Sequence, residues 1–288
     1  MSMSNSAFAS FRKDLRQRAR FKLATSSWAH RVRQLTNSAR MDPNFMIVGV
    51  QKAGTTFLHN LLSMHPAVAE PWRKEINYFS FYYTKGPAWY MAHFPRRTAG
   101  KSMTGESTTN YMYHPLAAER IAKAFPDTKV IVMLRDPVSR AFSHYRMNID
   151  RKDDNVSFRE AIETEDKRTA GELDRILADP GYVAWPYRLY SYRARGRYLE
   201  QILRLEQHFP KENILVMDSG ALFKKTEPSL VEVEKFLGLT EWIPKEYSPE
   251  NVGKSSEKPD ADVIEYLKDY FRPYNQELFD HLGWKPLW

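Results

Sequence analysis

A glycine-containing segment in the first quarter of the chain has the residue types and spacing of an anion-binding loop. It directly follows an apolar run and consists of Gly49-Val50-Gln51-Lys52-Ala53-Gly54-Thr55-Thr56. Backbone amides in such a loop, together with those of a following helix N-terminus, converge on one point and carry partial positive charge. The segment is therefore predicted to bind a phosphate-like anion. The alternative is a tight turn whose glycines serve packing alone.

The position of the lysine distinguishes this loop from those that bind nucleoside triphosphates. In those loops the second glycine is followed by a lysine that reaches the outer phosphates, and then by a Ser or Thr that holds Mg²⁺. Here Thr55 stands at the lysine position, and Lys52 lies inside the loop. This arrangement suits a ligand with one 5′-phosphate that carries a transferable group. It disfavours a P-loop kinase, which is kept as a less favoured alternative, and no metal is expected.

A second candidate anion site follows the apolar run 129–134. Arg135 would leave the carboxyl end of that strand, which is where open α/β sheets bind ligands. Ser143 would lie about two turns into the next helix, so both side chains are predicted to face one phosphate. Taken alone, Arg135 followed by Asp136-Pro137 is also compatible with a helix start and a salt bridge.

Alternating strands and helices position these residues. Short apolar runs predict strands at 45–50, 129–134 and 213–217, and helical spacing predicts helices at 116–125, 137–147, 188–208, 229–237 and 261–281. Buried strands that alternate with helices indicate a parallel sheet covered on both faces. The expected fold class is α/β, a P-loop-like three-layer fold with a mostly parallel central sheet flanked by helices.

Charge divides the chain into two parts. The net charge is +8, and residues 1–40 hold nine Lys or Arg against the single acid Asp14, so the rest of the chain is balanced. We predict a basic N-terminal extension at 1–43 and one domain at 44–288. A balanced domain argues against nucleic-acid binding. For the extension, peripheral membrane contact through residues 1–40, a transit peptide and a solvated arm all remain open.

Cysteine content and hydropathy bear on location. The chain has no Cys and no apolar run long enough for a membrane span. A cytoplasmic protein, with possible association at a membrane surface, is the expectation.

With both anion motifs in place, the sequence resembles the sulfotransferases that use 3′-phosphoadenosine 5′-phosphosulfate (PAPS), and most closely their heparan sulfate (glycan) branch. The resemblance covers about residues 44–288. It implies PAPS as donor and 3′-phosphoadenosine 5′-phosphate (PAP) as product. It also implies donor-binding roles for Lys52, Ala53, Gly54, Thr55, Thr56, Arg135, Ser143, Tyr198, Lys254, Ser255 and Ser256.

The same resemblance supplies candidates for catalysis and acceptor binding. The segment Lys74–Phe79 is similar to the stretch that carries the branch's catalytic base, so Glu75 is the predicted general base and Lys52 the cation at the leaving oxygen. Lys74, Asn77 and Glu106 are predicted to contact the acceptor. The alternatives are a surface ion pair for Glu75 and pairing with a buried Arg for Glu106. The chain departs from the branch at Asn77, where histidine is usual, and at Lys254-Ser255-Ser256, where lysine-glycine-arginine is usual.

These inferences lead to a sulfotransferase that acts on a hydroxyl or amine of a glycan or glycolipid. A small hydroxylated metabolite is the alternative acceptor. A non-enzymatic nucleotide- or membrane-binding module is a further alternative, and it would bind ligand without turnover.

Overall fold

A computed structural model of the chain describes residues 27–35, 40–248 and 259–288. Within these residues, five parallel strands form one sheet in the order β2-β3-β1-β4-β5. The strands are β1 (Phe45–Gly49), β2 (Val68–Ala69), β3 (Met103–Ser107), β4 (Lys129–Leu134) and β5 (Ile214–Asp218). Every residue of β1, and every residue of β4 after Lys129, is buried, as expected for central parallel strands covered on both faces.

Helices occupy most of the remaining described chain. They are α1 (Ser27–Gln34), α2 (Thr55–Met64), α3 (Pro87–Met91), α4 (Ala117–Ala124), α5 (Pro137–Arg151), α6 (Phe158–Glu163), α7 (Glu165–Thr169), α8 (Glu172–Ala178), α9 (Trp185–Tyr190), α10 (Tyr198–Glu206), α11 (Ser219–Lys224), α12 (Thr226–Leu237) and α13 (Ala261–Leu282). In the described part of the chain no helix combines the length and apolarity that crossing a membrane requires.

The predicted fold class is confirmed, as are the three strands read from apolar runs. β2 and β3 were not predicted as strands, because β2 has two residues and β3 contains the polar residues Thr104, Glu106 and Ser107. These two strands extend the sheet on the side of β1 opposite β4.

The single helix predicted at 188–208 is wrong. The chain leaves the helix after Tyr190 and forms a 3₁₀ turn at Ala194–Gly196 before α10 begins. Buried polar contacts hold this break: Glu165 accepts hydrogen bonds from the amides of Arg193 (2.5 Å) and Ala194 (2.9 Å). Because these contacts come from a distant helix, side-chain periodicity did not predict the break.

Part of the predicted N-terminal extension packs on the domain. The His30 ring of α1 lies 5.4 Å from the Trp89 ring and 4.5 Å from the His93 ring, and Arg33 lies over Trp72. Arg40 is buried and donates to the Phe94 carbonyl (2.5 Å). The domain boundary at residue 43 and membrane contact through residues 1–40 stay predictions, because residues 1–26 and 36–39 lie outside the described chain.

Candidate active site

A cleft of about 1250 Å³ lies where the sheet strands end. Residues that follow the carboxyl ends of β1, β3, β4 and β5 line it, including Lys52, Thr109, Arg135 and Ser219. β1 has β3 on one side and β4 on the other, so the strand order reverses there. This is the position at which open α/β sheets bind ligands.

The predicted anion loop connects β1 to α2 in a conformation that requires glycine at one position. Gly54 has φ +79° and directly precedes α2. A Cβ atom on Gly54 would lie 2.6 Å from the Phe223 ring, so a side chain there would strain the backbone and displace that ring. The Phe57 and Leu58 amides donate to the Gly54 carbonyl, so the amides of Thr55 and Thr56 are the ones at the start of α2 that are available to an anion.

Lys52 and Arg135 bring the two predicted anion motifs together. An Arg135 guanidinium nitrogen donates to the Lys52 carbonyl oxygen at 2.6 Å, and both residues line the cleft. Burial lowers the pKa of Lys52, and the charges of Arg135 and Arg151 lower it further. Burial also lowers the pKa of Arg135. A bound anion would relieve this repulsion, so the pair forms a cationic site built for a negatively charged ligand.

The second motif also begins a helix, as its alternative interpretation predicted. Asp136 caps α5 by accepting from the amides of Val138 (2.9 Å) and Ser139 (3.5 Å). The described contacts include no ion pair between Arg135 and Asp136, and the Arg135 guanidinium contacts the loop at Lys52. One turn beyond Ser139 on the same helix, Ser143 lines the cleft.

The cleft lining is strongly basic. Ten Lys or Arg residues face it against three acids, Glu75, Asp136 and Asp218. The basic residues are Lys52, Arg73, Lys74, Arg135, Arg146, Arg151, Arg188, Arg195, Lys224 and Lys268. Because the domain as a whole is nearly neutral, this concentration indicates an anionic ligand at the cleft.

Glu75 is positioned by residues that follow β3. Its carboxylate accepts from the Thr109 amide (3.3 Å) and the Thr109 hydroxyl (3.2 Å), and it pairs with Lys74 (3.2 Å). Its own amide donates to the Ser107 carbonyl at 2.9 Å. The Glu75 side chain is 36% exposed and lines the same cleft as Lys52, so an acceptor in the cleft can reach it.

Three predicted site residues other than glycine adopt left-handed backbone conformations: Lys52 (φ 74°), Glu75 (φ 55°) and Asn77 (φ 57°). Such conformations are unfavourable for residues with a Cβ atom and persist only where surrounding contacts hold them. The Asn77 side-chain amide contributes one such contact by donating to the Glu75 carbonyl (2.8 Å).

Most of the predicted site residues line the cleft. These are Lys52, Gly54, Thr55, Thr56, Lys74, Glu75, Asn77, Arg135 and Ser143. Three others, Ala53, Tyr198 and Glu106, are buried and outside the lining. Lys254, Ser255 and Ser256 lie outside the described residues.

Tyr198 and Glu106 therefore stand behind the cleft wall. The Tyr198 hydroxyl donates to the Arg135 carbonyl at 2.8 Å, so it supports the anion site from beneath. Glu106 is fully buried and accepts from the Tyr90 hydroxyl at 2.8 Å. Neither side chain is exposed to a ligand in the cleft.

Several cleft residues were not predicted from the sequence. Thr109 holds Glu75, Arg188 lies over the rings of Phe81 and Trp185, and the half-exposed Phe223 ring stacks on Phe57 at 5.5 Å. None of these residues belongs to a motif with recognisable spacing. Only the tertiary fold brings them to the cleft.

Metal-ligand clusters were sought among the side chains of the described ranges. None of them holds a group of three or more His, Asp or Glu arranged to bind a metal ion.

Comparison with known proteins identifies the family. Residues 42–256 match the family model described as the sulfotransferase domain. A membrane-associated sulfotransferase, kil1, of Dictyostelium discoideum is 27% identical over 84% of this chain, and human heparan sulfate glucosamine 3-O-sulfotransferase 3B1 is 31% identical over 84% of it. The chain spans 65% and 63% of the lengths of these two relatives.

A solved structure agrees with this assignment. The crystal structure of a sulfotransferase from Alicyclobacillus acidocaldarius superposes with a TM-score of 0.68 at 29% sequence identity. The match covers 85% of this chain and 97% of that one.

The relatives correct the expected location. One of them is named a membrane-associated enzyme, and others are named for their action on heparan sulfate, which contradicts the prediction of a cytoplasmic protein. The absence of cysteine, on which that prediction depended, is a weak criterion because many proteins outside the cytoplasm lack disulfides.

The match over three quarters of the chain, the shared fold and the basic cleft at the strand ends establish that this chain belongs to the sulfotransferase domain family.

Proposed function

We propose that this chain transfers a sulfonate group from PAPS to a hydroxyl or amine of an acceptor, and that the acceptor is a glycan or glycolipid. The observation that carries the proposal is the hydrogen bond from the Arg135 guanidinium to the Lys52 carbonyl, which places two cationic motifs side by side in the cleft. PAPS carries phosphate at both the 5′ and 3′ positions, so two separate cationic groups suit it better than the single extended grip that a triphosphate needs.

The residues present fit this donor. The left-handed Gly54 leads directly into α2, whose first amides suit the 5′-phosphosulfate, and Arg135 with Ser143 suits the 3′-phosphate. When bound, PAPS supplies an activated sulfonate whose leaving group is a phosphate oxygen. Lys52 would stabilise the charge that develops on that oxygen, since a preoriented cation in a partly buried site is most effective there.

Glu75 is the proposed general base. It would take the proton from the acceptor hydroxyl or amine as that atom attacks the sulfonate in line. Thr109 fixes the orientation of the carboxylate, and Lys74 contacts the same Oε1 atom. Each contact restricts Glu75 to one side of the cleft, which is what an in-line reaction requires.

The basic lining supports a glycan acceptor that carries negative charge. Arg73, Lys74 and Arg188 line the cleft together with Glu75. The heparan sulfate enzymes among the relatives are named for such an acceptor, so the proposal extends their substrate class to this chain. A neutral small metabolite would make no use of this positive charge.

Titration calorimetry tests the donor site. PAP is expected to bind the wild-type protein more tightly than ATP with Mg²⁺, and the Lys52→Ala and Arg135→Ala variants should each weaken PAP binding by roughly 10- to 1000-fold, since each removes a partly buried cation. Lys235→Ala, an exposed cation on α12 outside the cleft, is the control and should bind PAP normally.

The outcome with ATP decides the reaction class. Binding of ATP with Mg²⁺ but not of PAP would contradict the proposal and support a kinase. The acceptor class is tested next, by transfer of radiolabelled sulfonate from PAPS to heparan sulfate, to a glycolipid and to a small phenol. Transfer to the phenol alone would overturn the glycan assignment while leaving the sulfotransferase assignment intact.

A further inference from the structure

Glu106 is a buried carboxyl group that lies behind the cleft wall. Its side chain is fully buried, and its two oxygens accept hydrogen bonds from the Tyr90 hydroxyl (2.8 Å) and the Thr108 hydroxyl (3.1 Å). The Tyr111 hydroxyl faces the same carboxyl group. A buried carboxyl group is costly unless hydrogen bonds satisfy it, so three hydroxyl groups around one acid indicate a specific role.

Two of these hydroxyls also contact the segment that carries Glu75. The Thr108 oxygen accepts from the Asn77 amide (3.4 Å), and the Tyr111 oxygen accepts from the amides of Tyr78 (2.9 Å) and Phe79 (3.5 Å). Three consecutive amides of this segment are therefore held by hydroxyls that Glu106 contacts.

The direction of these hydrogen bonds explains why an acid is needed. A hydroxyl group has one proton and two acceptor lone pairs. When the proton points to a Glu106 oxygen, the lone pairs of the hydroxyl are available to accept from the backbone amides. Glu106 thus orients Thr108 and Tyr111 as acceptors toward the segment 77–79.

The same contacts hold a strained backbone. Glu75 and Asn77 both have left-handed φ angles, which relax unless neighbouring contacts fix them. Aromatic packing adds to the support, since the Tyr78 ring stacks on the Tyr90 ring at 4.8 Å and Phe79 contacts Tyr111 edge to face at 5.5 Å. Tyr90 thus connects the acid and the segment on a second side.

We propose that Glu106 is a positioning residue for the reaction: through the hydroxyls of Thr108 and Tyr111 it holds the left-handed segment that aims Glu75 at the acceptor. It does not bind the acceptor, because it has no exposed surface and lies outside the cleft lining. The role in turnover rests on the proposed function, whereas the role in holding the segment does not.

Hydrogen exchange measured by mass spectrometry tests the positioning directly. In Glu106→Gln, peptides that cover residues 75–80 should exchange at least about tenfold faster than in the wild-type protein, because local opening of this segment becomes easier. Glu234→Gln is the matched control: Glu234 is also buried, accepts from the Trp242 amide at 3.1 Å and lies outside the cleft lining. It should leave these peptides unchanged.

Kinetics supply the second readout. With heparan sulfate as acceptor, Glu106→Gln should lower kcat by roughly 10- to 100-fold, since a displacement of about 1 Å at a reacting group has an effect of this size. PAP affinity should remain at the wild-type value, because Lys52 and Arg135 are not in this network. Normal exchange and normal kcat in a folded Glu106→Gln protein would overturn the proposal.

A second pair of variants covers the case in which Glu106→Gln does not fold. Thr108→Val removes the acceptor for the Asn77 amide, whereas Thr108→Ser keeps it. Faster exchange at 75–80 in the valine variant with rescue by serine supports the proposal, and equal behaviour of the two contradicts it. If the wild-type protein transfers no sulfonate, the proposed function fails, and the exchange measurements still decide the role of Glu106.

Discussion

The cleft has an anion wall, formed by Lys52, Gly54–Thr56, Arg135 and Ser143, and a carboxylate wall, formed by Lys74, Glu75, Asn77 and Thr109. The anion wall takes its geometry from main chain that directly follows β1 and β4. The carboxylate wall takes its geometry from side chains distant in sequence, such as Thr109 bound to Glu75.

This difference indicates which substitutions should impair the anion wall and which should impair the carboxylate wall. Backbone amides and a helix N-terminus remain in place as long as the sheet is folded, so the anion wall should be robust to changes in side chains that do not bind the donor. The carboxylate wall depends on a buried hydroxyl network and on left-handed residues. Substitutions in that network should therefore lower activity even where the substituted residue does not contact a ligand.

The largest effect is expected from Glu75→Gln. Loss of the proposed general base should lower kcat by roughly 10²- to 10⁴-fold while PAP affinity is unchanged. Rapid-quench measurement of sulfonate transfer checks the fall in kcat, and calorimetry checks the affinity for PAP. Glu119→Gln, an exposed acid on α4, is the control. Near-normal turnover in Glu75→Gln would show that the carboxylate wall does not supply the base.

A second effect concerns pH and stability. Burial raises the pKa of Glu106 to about 7 from its ordinary value of 4.5, with Tyr90, Tyr111, Thr108 and Glu75 facing it. The folded state therefore favours the protonated acid, so this contribution to stability is complete below about pH 4.5 and is lost as pH rises through about 7.

Glu106→Gln removes that titration. The free energy of unfolding of the wild-type protein, relative to the variant, should fall by roughly 3 kcal/mol between pH 4.5 and pH 8.5, at about 1.4 kcal/mol per pKa unit. Urea unfolding at several pH values measures this difference. A difference that does not change with pH would show that Glu106 keeps an ordinary pKa in the folded protein.

Gly54→Ala tests the main-chain origin of the anion wall. A Cβ at this position meets the Phe223 ring, so a cost of about 1–3 kcal/mol from overpacking adds to the cost of a left-handed alanine. Gly171→Ala shares the left-handed backbone (φ +72°) but has open space around it. Thermal unfolding and PAP titration of both variants separate the two costs, and only Gly54→Ala should weaken PAP binding.

The smallest effect is expected from Tyr198→Phe. Loss of the hydrogen bond to the Arg135 carbonyl should cost about 1 kcal/mol and weaken PAP binding by no more than about tenfold. Tyr145→Phe loses a comparable hydrogen bond, to the Val156 carbonyl at 2.9 Å, away from the cleft. It should show a similar stability cost with normal PAP binding. Equal PAP affinity in both variants would exclude support of Arg135 by Tyr198.

The sequence predicted the fold well where burial alone decides the structure. The apolar runs of β1 and β4 are buried along nearly their whole length, so composition indicated them directly. The helix break at residues 191–197 was missed because it depends on Glu165 in another helix. β3 was missed because its buried residues include Thr104, Glu106 and Ser107, so its sequence lacks the apolar run that predicts a buried strand.

The candidate site divides in the same way. Lys52 and Arg135 follow strands within short motifs, so residue spacing pointed to them without a structure. Glu75 came from the family resemblance, and Glu106 was predicted to contact the acceptor although it is buried behind the wall. Spacing could not distinguish these roles, because whether a carboxyl group faces the cleft or the core depends on how β3 packs.

The amino-acid sequence by itself determined the α/β architecture and the anion loop, because periodicity, glycine position and strand-end motifs act over a few residues. Only the tertiary structure decided which acid is exposed, which is buried, and which hydroxyls hold the segment between them. The physical reason is that burial and hydrogen-bond direction arise from contacts between residues about 30 positions apart, as between Asn77 and Thr108 or Glu75 and Thr109.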